Sequence, residues 1–425
     1  MTLVVFLSSL LSAMAIGVPV AFALLFSGIV LMYYMDIFNA SIVSQRLITG
    51  ANTFTLLAIP FFLLAGELMN AGGLSRRIVD FAIACVGHVK GGLGIVAVFA
   101  AVIMASLSGS AAADTAALAA ILIPMMRDSG HDVPRSAGLM AAGGIIAPVI
   151  PPSIAFIIFG VAANVSITGL FMGGIVPGLM MALALVGTWM LIARRENVEP
   201  LPKRSGAERL AATGRAGWAL FMPVIILGGI RFGVFTPTEA AVVAAVYALL
   251  VGMFIYRELK LSDLYRVFLN AAKTTSVVLF LVAAALVSAW LITSANIPNE
   301  IGGYIQPLID RPRLLMLVIM ALVLVVGTAL DLAPTILILS PVLMPIIREA
   351  GIDPVYFGVM FVLNTCIGLI TPPVGIVLNV VSGVSRVPLG KVIWGVLPFL
   401  AAQVVVLLLL VIFPELVTVP LAYLR

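Results

Sequence analysis

Two stretches of the chain, IAPVIPPS at residues 146–153 and IGLITPPV at residues 367–374, each place a pair of prolines inside an apolar run. A shift of 221 positions carries the first proline pair onto the second. The same shift aligns, without a gap, Leu122 with Leu343, Pro124 with Pro345, Arg127 with Arg348, Gly130 with Gly351 and Asp132 with Asp353. The chain therefore contains two copies of one unit, and in membrane proteins such repeats are typical of transporters.

The composition places both copies in a lipid bilayer. Of the 425 residues, 63% are hydrophobic and 10% are charged, whereas soluble proteins carry roughly 25% charged residues. The net charge is +5, but the basic residues fall between apolar spans, which indicates orientation rather than binding of nucleic acid. Cys85 and Cys366 are far apart, and His88 and His131 lie beside loop glycines. The sequence therefore predicts neither a disulfide framework nor a transition-metal site.

Apolar runs of about 20 residues predict the membrane spans and an all-α polytopic fold with two inverted repeats. The first repeat, residues 1–193, is expected to contain scaffold helices, a re-entrant hairpin at 92–127 and a broken helix at 137–165. A cytoplasmic linker and one extra span follow at 194–236. The second repeat, residues 237–425, is expected to contain a hairpin at 312–348 and a broken helix at 357–386. For residues 1–16 the pattern predicts no definite path.

The inversion follows from counting crossings. If each hairpin enters and leaves on one side, each repeat crosses the membrane an even number of times. The extra span then makes the number of crossings between any element and its equivalent odd, so the second repeat is inverted. Placing residues 194–215 in the cytoplasm puts most of the 23 lysines and arginines on that side, as the positive-inside rule requires. The first hairpin then enters from the cytoplasm and the second from the opposite face.

Each hairpin has a small, polar interruption, SLSGSAAADT at residues 106–115 and GTALDLAPT at residues 327–335. Interrupted helices survive in hydrocarbon only where protein or a watery cavity surrounds them. Each interruption carries one acid, Asp114 or Asp331, beside several hydroxyls, and an acid inside a membrane favours a functional site. The alternative for Asp114 is a plain N-cap of a helix over 115–127.

The paired prolines interrupt a second set of helices. Proline lacks an N–H group and excludes its predecessor from helical geometry, so carbonyls of residues 147–150 and 368–371 lose their intrahelical donors. Carbonyl and hydroxyl oxygens with few carboxylates suit Na⁺, a hard cation. The helices that restart after the four interruptions present N-termini that suit an anion, and they are expected to begin at Thr115, Ser153, Thr335 and Gly375. The alternative is that the prolines only kink the helices.

Along essentially its full length the chain resembles the large membrane subunit of tripartite ATP-independent periplasmic (TRAP) transporters. The matching stretches are LAIPFF at 57–62, AGELMNAGGL at 65–74, MASLSGSAAADT at 104–115, IAPVIPPS at 146–153, FTPTEAA at 235–241 and GLITPPVG at 368–375. The resemblance implies an elevator-type, Na⁺-driven importer of organic acids in the bacterial inner membrane. It also implies two partners, a small four-helix membrane subunit and a periplasmic substrate-binding protein.

The resemblance assigns roles to particular residues of this chain. One Na⁺ site is expected to use Ser106, Ser108, Ser110 and Asp114 with backbone near Pro148 and Ile150. A second is expected to use Gly327, Thr328, Asp331, Thr335 and Thr371. Ser153, Asn364 and Asn379 are candidates for the substrate cavity because they are polar residues near the breaks. Since no arginine falls at the breaks, either helix N-termini and Na⁺ supply the positive charge there or a partner-facing residue does.

Other functional classes stay open at this point. One alternative is a standalone divalent-anion/Na⁺ symporter, which is closest in architecture to the favoured transporter. Another is a passive channel, which would conduct without coupling to Na⁺. An intramembrane aspartyl protease could use Asp114 and Asp331, but neither lies in a Gly-x-Gly-Asp context. The sequence favours a transporter over an enzyme. It predicts Na⁺ as the coupling ion and no organic cofactor. As substrate it favours sialic acid or a related sugar acid over a C4-dicarboxylate.

Overall fold

The computed structural model describes residues 1–196, 198, 200–296 and 308–424, and in this part of the chain every regular element is a helix. The first ten helices are α1 (Thr2–Ala15), α2 (Val20–Tyr34), α3 (Ala40–Ala51), α4 (Ala58–Ala71), α5 (Leu74–Val86), α6 (Gly92–Ser108), α7 (Ala111–Asp128), α8 (Val133–Gly144), α9 (Ile154–Ala163) and α10 (Ile167–Ala193). A 3₁₀ turn, Phe54–Leu57, precedes α4.

The remaining helices are α11 (Gly206–Arg231), α12 (Pro237–Leu250), α13 (Leu261–Ser294), α14 (Pro312–Gly327), α15 (Leu332–Glu349), α16 (Pro354–Gly368), α17 (Ile376–Ser385), α18 (Leu389–Ile412) and α19 (Glu415–Leu424). A π turn, Val251–Ile255, extends α12. Seven helical segments in the described residues are long and apolar enough to cross a membrane. The chain is thus a multi-pass, all-α membrane protein, as the sequence predicts.

The two copies fold into the same series of helices. The shift of 221 positions carries Ala111–Asp128 onto Leu332–Glu349, and it carries α6, α8, α9 and α10 onto α14, α16, α17 and α18 with ends that agree closely. Each series is a helical hairpin, then a helix broken at the paired prolines, then a long span. The hairpins and broken helices expected from the repeat are therefore present in both copies.

The same local chemistry ends the hairpin and starts the broken helix in each copy. Gly130 and Gly351 have φ values of 87° and 68°, a left-handed conformation that glycine adopts without strain and that ends helices. Two residues later, Asp132 and Asp353 accept hydrogen bonds from backbone N–H groups in the first turns of α8 and α16. These aspartates are N-caps, so they explain where each helix begins.

Contacts between the copies are reciprocal. Arg127, near the end of α7, donates a hydrogen bond to the carbonyl of Ser385 at the end of α17, over 3.5 Å. Its equivalent Arg348, near the end of α15, donates to the carbonyl of Ala163 at the end of α9, over 3.1 Å. Exchanged contacts of this kind indicate a two-fold relation, which for repeats of opposite topology lies in the membrane plane.

Small residues and polar side chains join the spans. At Gly138 of α8, an added Cβ would collide with the backbone of Gly395 in α18, so these helices approach as closely as glycine pairs allow in membranes. Gln403 of α18 is fully buried and donates a hydrogen bond to the carbonyl of Met181 in α10, over 3.2 Å. The buried Trp189 indole donates to the carbonyl of Gly91 over 2.8 Å. Such bonds satisfy groups that lipid cannot.

Some expected boundaries differ from those observed. The helix of the extra span, α11, begins at Gly206, inside the segment read as linker, because Ser205 and Glu208 form a capping box there. Helix α13, within the second repeat, runs from Leu261 to Ser294 and is the longest of the described helices. Residues 2–15, whose path was open, form α1 and pack on α2. The short helices α3 and α5 were not predicted.

We predict that Gly138→Ala destabilises the protein while Gly187→Ala does not. At Gly138 the new methyl group would overlap the backbone of α18, whereas at Gly187 in α10 it would meet nothing within 4 Å. Overpacking of this kind costs about 1–3 kcal/mol. The thermal unfolding midpoints of the purified variants provide the measurement. Equal midpoints would show that α8 and α18 do not pack as described.

Candidate functional site

One cavity of about 200 Å³ lies where the interrupted helices meet. The tip of the first hairpin contributes residues 109–112 and the tip of the second contributes residues 331–333. The broken helices contribute Leu369 and the first residues of α9 and α17. On the other side lie Leu63 of α4 and residues of α13. We call this space the tip cavity, and residues of both repeats line it.

Four helices begin at the tip cavity. Their first residues, Ala111, Ile154, Leu332 and Ile376, all line it. The first N–H groups of a helix have no intrahelical acceptors and carry partial positive charge. The helices therefore start at the interruptions as expected, although α7 and α15 begin a few residues earlier than predicted. Their convergence makes the cavity suitable for an anion.

Asp331 supplies the one acidic side chain among the described residues that line the tip cavity, and no lysine, arginine or histidine lines it. Its carboxylate oxygen Oδ1 accepts a hydrogen bond of 2.8 Å from the backbone N–H of Leu332. Ser110 lines the same cavity as the N-cap of α7. The structure thus brings together one predicted ligand from each hairpin.

The first hairpin tip lies against the first proline break. Gly109 has a φ of 60°, and a Cβ placed there would lie 3.0 Å from the carbonyl oxygen of Pro152. Ser153 is fully buried, donates a hydrogen bond of 2.5 Å to the carbonyl of Pro148, and caps α9 by accepting the N–H of Phe156. The predicted ligand carbonyl of Pro148 therefore already has a donor from Ser153.

The second tip meets the second break in the same way. Gly368 lies so close to Gly327 that a Cβ on Gly368 would be 2.6 Å from the carbonyl carbon of Gly327. Thr371 donates to the carbonyl of Ile367 over 2.8 Å. Asn379 donates to the carbonyl of Val374 over 2.9 Å. The side chains of Thr371 and Asn379 therefore donate hydrogen bonds to backbone carbonyls around this break.

Other predicted ligands make local hydrogen bonds. Ser106 donates to the carbonyl of Ile103 over 2.6 Å and lines a separate cavity together with Ile150. Thr328 donates to the carbonyl of Val325, and Thr335 donates to that of Asp331. None of these hydroxyls is among the described residues that line the tip cavity.

The three candidates for substrate contact also lie outside the lining of the tip cavity, within the part of the chain that the structure describes. Asn364 is fully buried and donates a hydrogen bond of 2.6 Å to the carbonyl of Met320 in α14. Ser153 donates a hydrogen bond to a carbonyl at the first break and Asn379 to one at the second, as described above. All three support the backbone around the cavity. Thr274 of α13, which does line the cavity, was missed because it lies in a long apolar helix outside both hairpins.

Asp114 occupies a different place from Asp331. It lies in the first turn of α7, where Ser110 is the N-cap, so the interpretation of Asp114 as the cap is wrong. Its carboxylate accepts a 2.5 Å hydrogen bond from Ser108 and lines a small separate cavity. The two acids line different cavities, which does not suit a catalytic dyad. Among the described residues, no three His, Cys, Asp or Glu side chains lie together so that they could hold a metal ion.

We predict that Gly368→Ala disturbs the second hairpin whereas Gly327→Ala is tolerated. A methyl group on Gly368 must displace the Gly327 backbone, while one on Gly327 meets its nearest neighbours at 3.5 Å, an ordinary contact. Overpacking against backbone costs about 1–3 kcal/mol. The thermal midpoint of each purified variant tests this prediction. A Gly327→Ala variant as unstable as Gly368→Ala would contradict the described contact.

Comparisons with known proteins agree with this architecture. The family model described as "Tripartite ATP-independent periplasmic transporter, DctM component" matches residues 7–416. The chain is 56% identical to the 2,3-diketo-L-gulonate TRAP transporter large permease protein of Escherichia coli over the whole of both chains. It is 39% identical to the sialic acid TRAP transporter large permease protein of Vibrio cholerae, over 94% of this chain and 93% of that one.

Two further comparisons concern a third relative and the fold. The chain is 42% identical to the C4-dicarboxylate TRAP transporter large permease protein of Pseudomonas aeruginosa, over 87% of this chain and 86% of that one. The crystal structure of the Alcanivorax borkumensis YdaH transporter shares the fold, with a TM-score of 0.64 at 15% identity over 92% of this chain and 90% of that one. The relatives in sequence are named as permeases, so this chain is a transporter component and not an enzyme. It belongs to the DctM family of TRAP transporter large permeases.

Proposed function

We propose that the chain is the Na⁺-coupled transport subunit for a small organic-acid anion in a bacterial inner membrane. A periplasmic binding protein delivers the anion, and a small four-helix membrane subunit accompanies the chain. The observation that carries this proposal is the tip cavity, in which four helix N-termini and Asp331 face one space.

The charges around the tip cavity support coupling between a cation and an anion. The helix N-termini attract a carboxylate, but the Asp331 carboxylate repels one. With no basic side chain among the described residues of its lining, a bound Na⁺ beside Asp331 is what removes this repulsion. The Asp331 carboxylate would supply a charged oxygen ligand of the kind that such a hard cation prefers. Each Na⁺ entering the cell contributes about 2.3 kcal/mol per 100 mV of membrane potential.

Inverted repeats around a central site support alternating access. From the tip cavity, α7 runs beside α17 and α15 runs beside α9, because the reciprocal arginine contacts join the far ends of each pair. In inverted repeats, the two pairs would lead to opposite faces of the membrane. In the proposed elevator mechanism, the hairpins and broken helices carry the loaded cavity across the membrane. Helices α4 and α13 supply the opposing wall.

Sugar acids are the substrate class that we propose. The relative with 56% identity is named for 2,3-diketo-L-gulonate, and relatives at 39% and 42% identity are named for sialic acid and C4-dicarboxylates. Sialic acid and diketogulonate are both monocarboxylates with many hydroxyl groups. The cavity has one charged side chain and a mostly apolar lining, so it can be occupied by one carboxylate balanced by cations.

We predict uptake of a labelled sugar acid into proteoliposomes that contain this chain and its small subunit. Uptake should need both an inward Na⁺ gradient and the cognate binding protein, with 2,3-diketo-L-gulonate and sialic acid as the first substrates tested. An equal K⁺ gradient is the control, because it removes Na⁺ while keeping ionic strength. Uptake with Na⁺ but without the binding protein would instead indicate a standalone symporter, and uptake in K⁺ would contradict coupling.

We predict that Asp331→Asn lowers the apparent Na⁺ affinity of uptake by about tenfold or more, since it removes a charged oxygen ligand while keeping the size of the side chain. Asp310→Asn, an exposed acid ahead of the same hairpin, is the matched control and should leave uptake unchanged. The measurement is the Na⁺ concentration at half-maximal initial rate. The same value in Asp331→Asn and wild type would remove Asp331 from the coupling.

A further inference from the structure

Another cavity, which shares no lining residue with the tip cavity, opens where α8, α10 and α18 meet. Its volume is about 600 Å³, within the range of cavities that hold small organic molecules, about 300–1,000 Å³. Arg135 of α8, the last turns of α10 and Pro398 of α18 line it. Arg194 and Arg195, which directly follow α10, line it as well. Three cationic side chains therefore face one space, which we call the arginine cavity.

No carboxylate balances these cations within the described lining of the arginine cavity. Arg135 lies 3.6 Å from a carboxylate oxygen of Glu196, but the other oxygen of Glu196 lies closer to Nδ1 of His131, at 2.8 Å. Arg194 and Arg195 are exposed and form no ion pair with any residue that the structure describes. Guanidinium groups pair with phosphate through two parallel hydrogen bonds. The cluster therefore suits a phosphate group.

The remaining lining is mostly apolar. Leu191 and Ile192 precede the two arginines on α10, and Pro398 lies inside α18. Leu191 lies closer than Arg194 to the middle of α10, so the cavity is basic at the end of the span and apolar toward the membrane interior. A soluble anion would use only the basic end. An anion that carries hydrocarbon chains uses both ends, since the chains gain from leaving water.

The helix surfaces beside the cavity are open within the described protein. Leu191 is 64% exposed, and Trp394, one turn before Pro398 on α18, is 78% exposed. A Cβ placed on Gly187, one turn before Leu191, meets nothing within 4 Å. Both helices are long and apolar enough to span a membrane, and tryptophan is typical of the level of the lipid head groups. The arginine cavity therefore opens toward lipid at that level.

We propose that the arginine cavity binds one anionic phospholipid. The phosphate group lies against Arg135, Arg194 and Arg195, and the acyl chains run along Leu191 and Pro398. The segment that follows α10 is the one that the distribution of basic residues places in the cytoplasm. Lipids of the cytoplasmic leaflet carry negative charge, and basic pockets between spans on that side bind their head groups.

The second repeat has no equivalent site. The shift of 221 positions carries Arg135 onto Tyr356, Arg194 onto Glu415 and Arg195 onto Leu416. Tyr356 is buried, and its hydroxyl donates a hydrogen bond to a backbone carbonyl of α18. The three cations are therefore present in one copy of the repeat alone. In inverted repeats the equivalent positions lie at opposite faces of the membrane, so the proposed lipid site is confined to the cytoplasmic face.

The test uses the chain purified in detergent with its small subunit and stripped of lipid. The thermal unfolding midpoint is followed, because a ligand that binds the folded state stabilises it. Phosphatidylglycerol, phosphatidylethanolamine and soluble glycerol 3-phosphate are titrated separately. Phosphatidylethanolamine keeps the phosphate and the chains without net charge, and glycerol 3-phosphate keeps the phosphate without chains. Neither transport substrate nor ion gradient is present, so failure of this test leaves the proposed function unaffected.

Three variants separate the two ends of the cavity from general electrostatics. The double variant Arg194→Gln/Arg195→Gln removes two charges at exposed positions, where substitutions change stability little. Its matched control is Arg215→Gln/Arg266→Gln, which removes two exposed arginines of α11 and α13 from outside the cavity lining. Leu191→Asn keeps every charge and makes the apolar end polar.

We predict that phosphatidylglycerol raises the wild-type midpoint at lower concentration than phosphatidylethanolamine does, and that glycerol 3-phosphate has no saturable effect. The half-saturating concentration of phosphatidylglycerol should rise by about tenfold or more in Arg194→Gln/Arg195→Gln, because two contacts to the anionic head group are lost. It should also rise in Leu191→Asn and stay at the wild-type value in Arg215→Gln/Arg266→Gln.

Three results would each overturn the proposal. The first is an equal response of wild type to the anionic and the zwitterionic lipid. The second is the same half-saturating concentration in the two double variants. The third is a saturable response to glycerol 3-phosphate, together with a phosphatidylglycerol response that Leu191→Asn leaves unchanged, because the cavity would then bind a soluble phosphate ester.

Discussion

The need to satisfy every backbone polar group within the membrane is the constraint on which this structure depends. Two hairpin tips and two proline breaks leave N–H and carbonyl groups without helical partners, and hydrocarbon offers no replacement. The fold brings the four interruptions together and encloses them in protein. Ser153 and Asn379 then bond the freed carbonyls of Pro148 and Val374. Enclosure and hydrogen bonding together make the broken backbone stable at the centre of the molecule.

The same enclosure creates the electrostatic character of the tip cavity. Because each interrupted helix restarts there, the positive ends of four helices face one space without any basic side chain in the described lining. Asp331 opposes that potential, and Asp114 lines a different cavity, where it accepts a hydrogen bond from Ser108. The two hairpins therefore differ in where their single acid lies. In our account, Na⁺ binding beside Asp331 offsets the negative charge at the tip cavity.

The sequence predicted most of the fold because its signals are local and repeated. The offset between Pro151 and Pro372 identifies the repeat, and the small polar tips identify the hairpins. The side-chain contacts were harder to predict. Polar residues near a break look like ligands, yet Asn364 and Ser153 satisfy nearby carbonyls, since buried polar groups need partners. Thr274 belongs to a helix outside both hairpins, so only the packing of α13 reveals that it lines the tip cavity.

The central claim is that the organic anion binds among the four helix N-termini together with Na⁺. The most direct test is an experimental structure of the two-subunit complex, determined with bound sugar acid in NaCl and again in choline chloride. The account predicts density for the substrate carboxylate in the tip cavity, against residues 109–112 and 331–333, in the presence of Na⁺ only. Substrate density elsewhere in the molecule, or equal occupancy of the tip cavity without Na⁺, would contradict it.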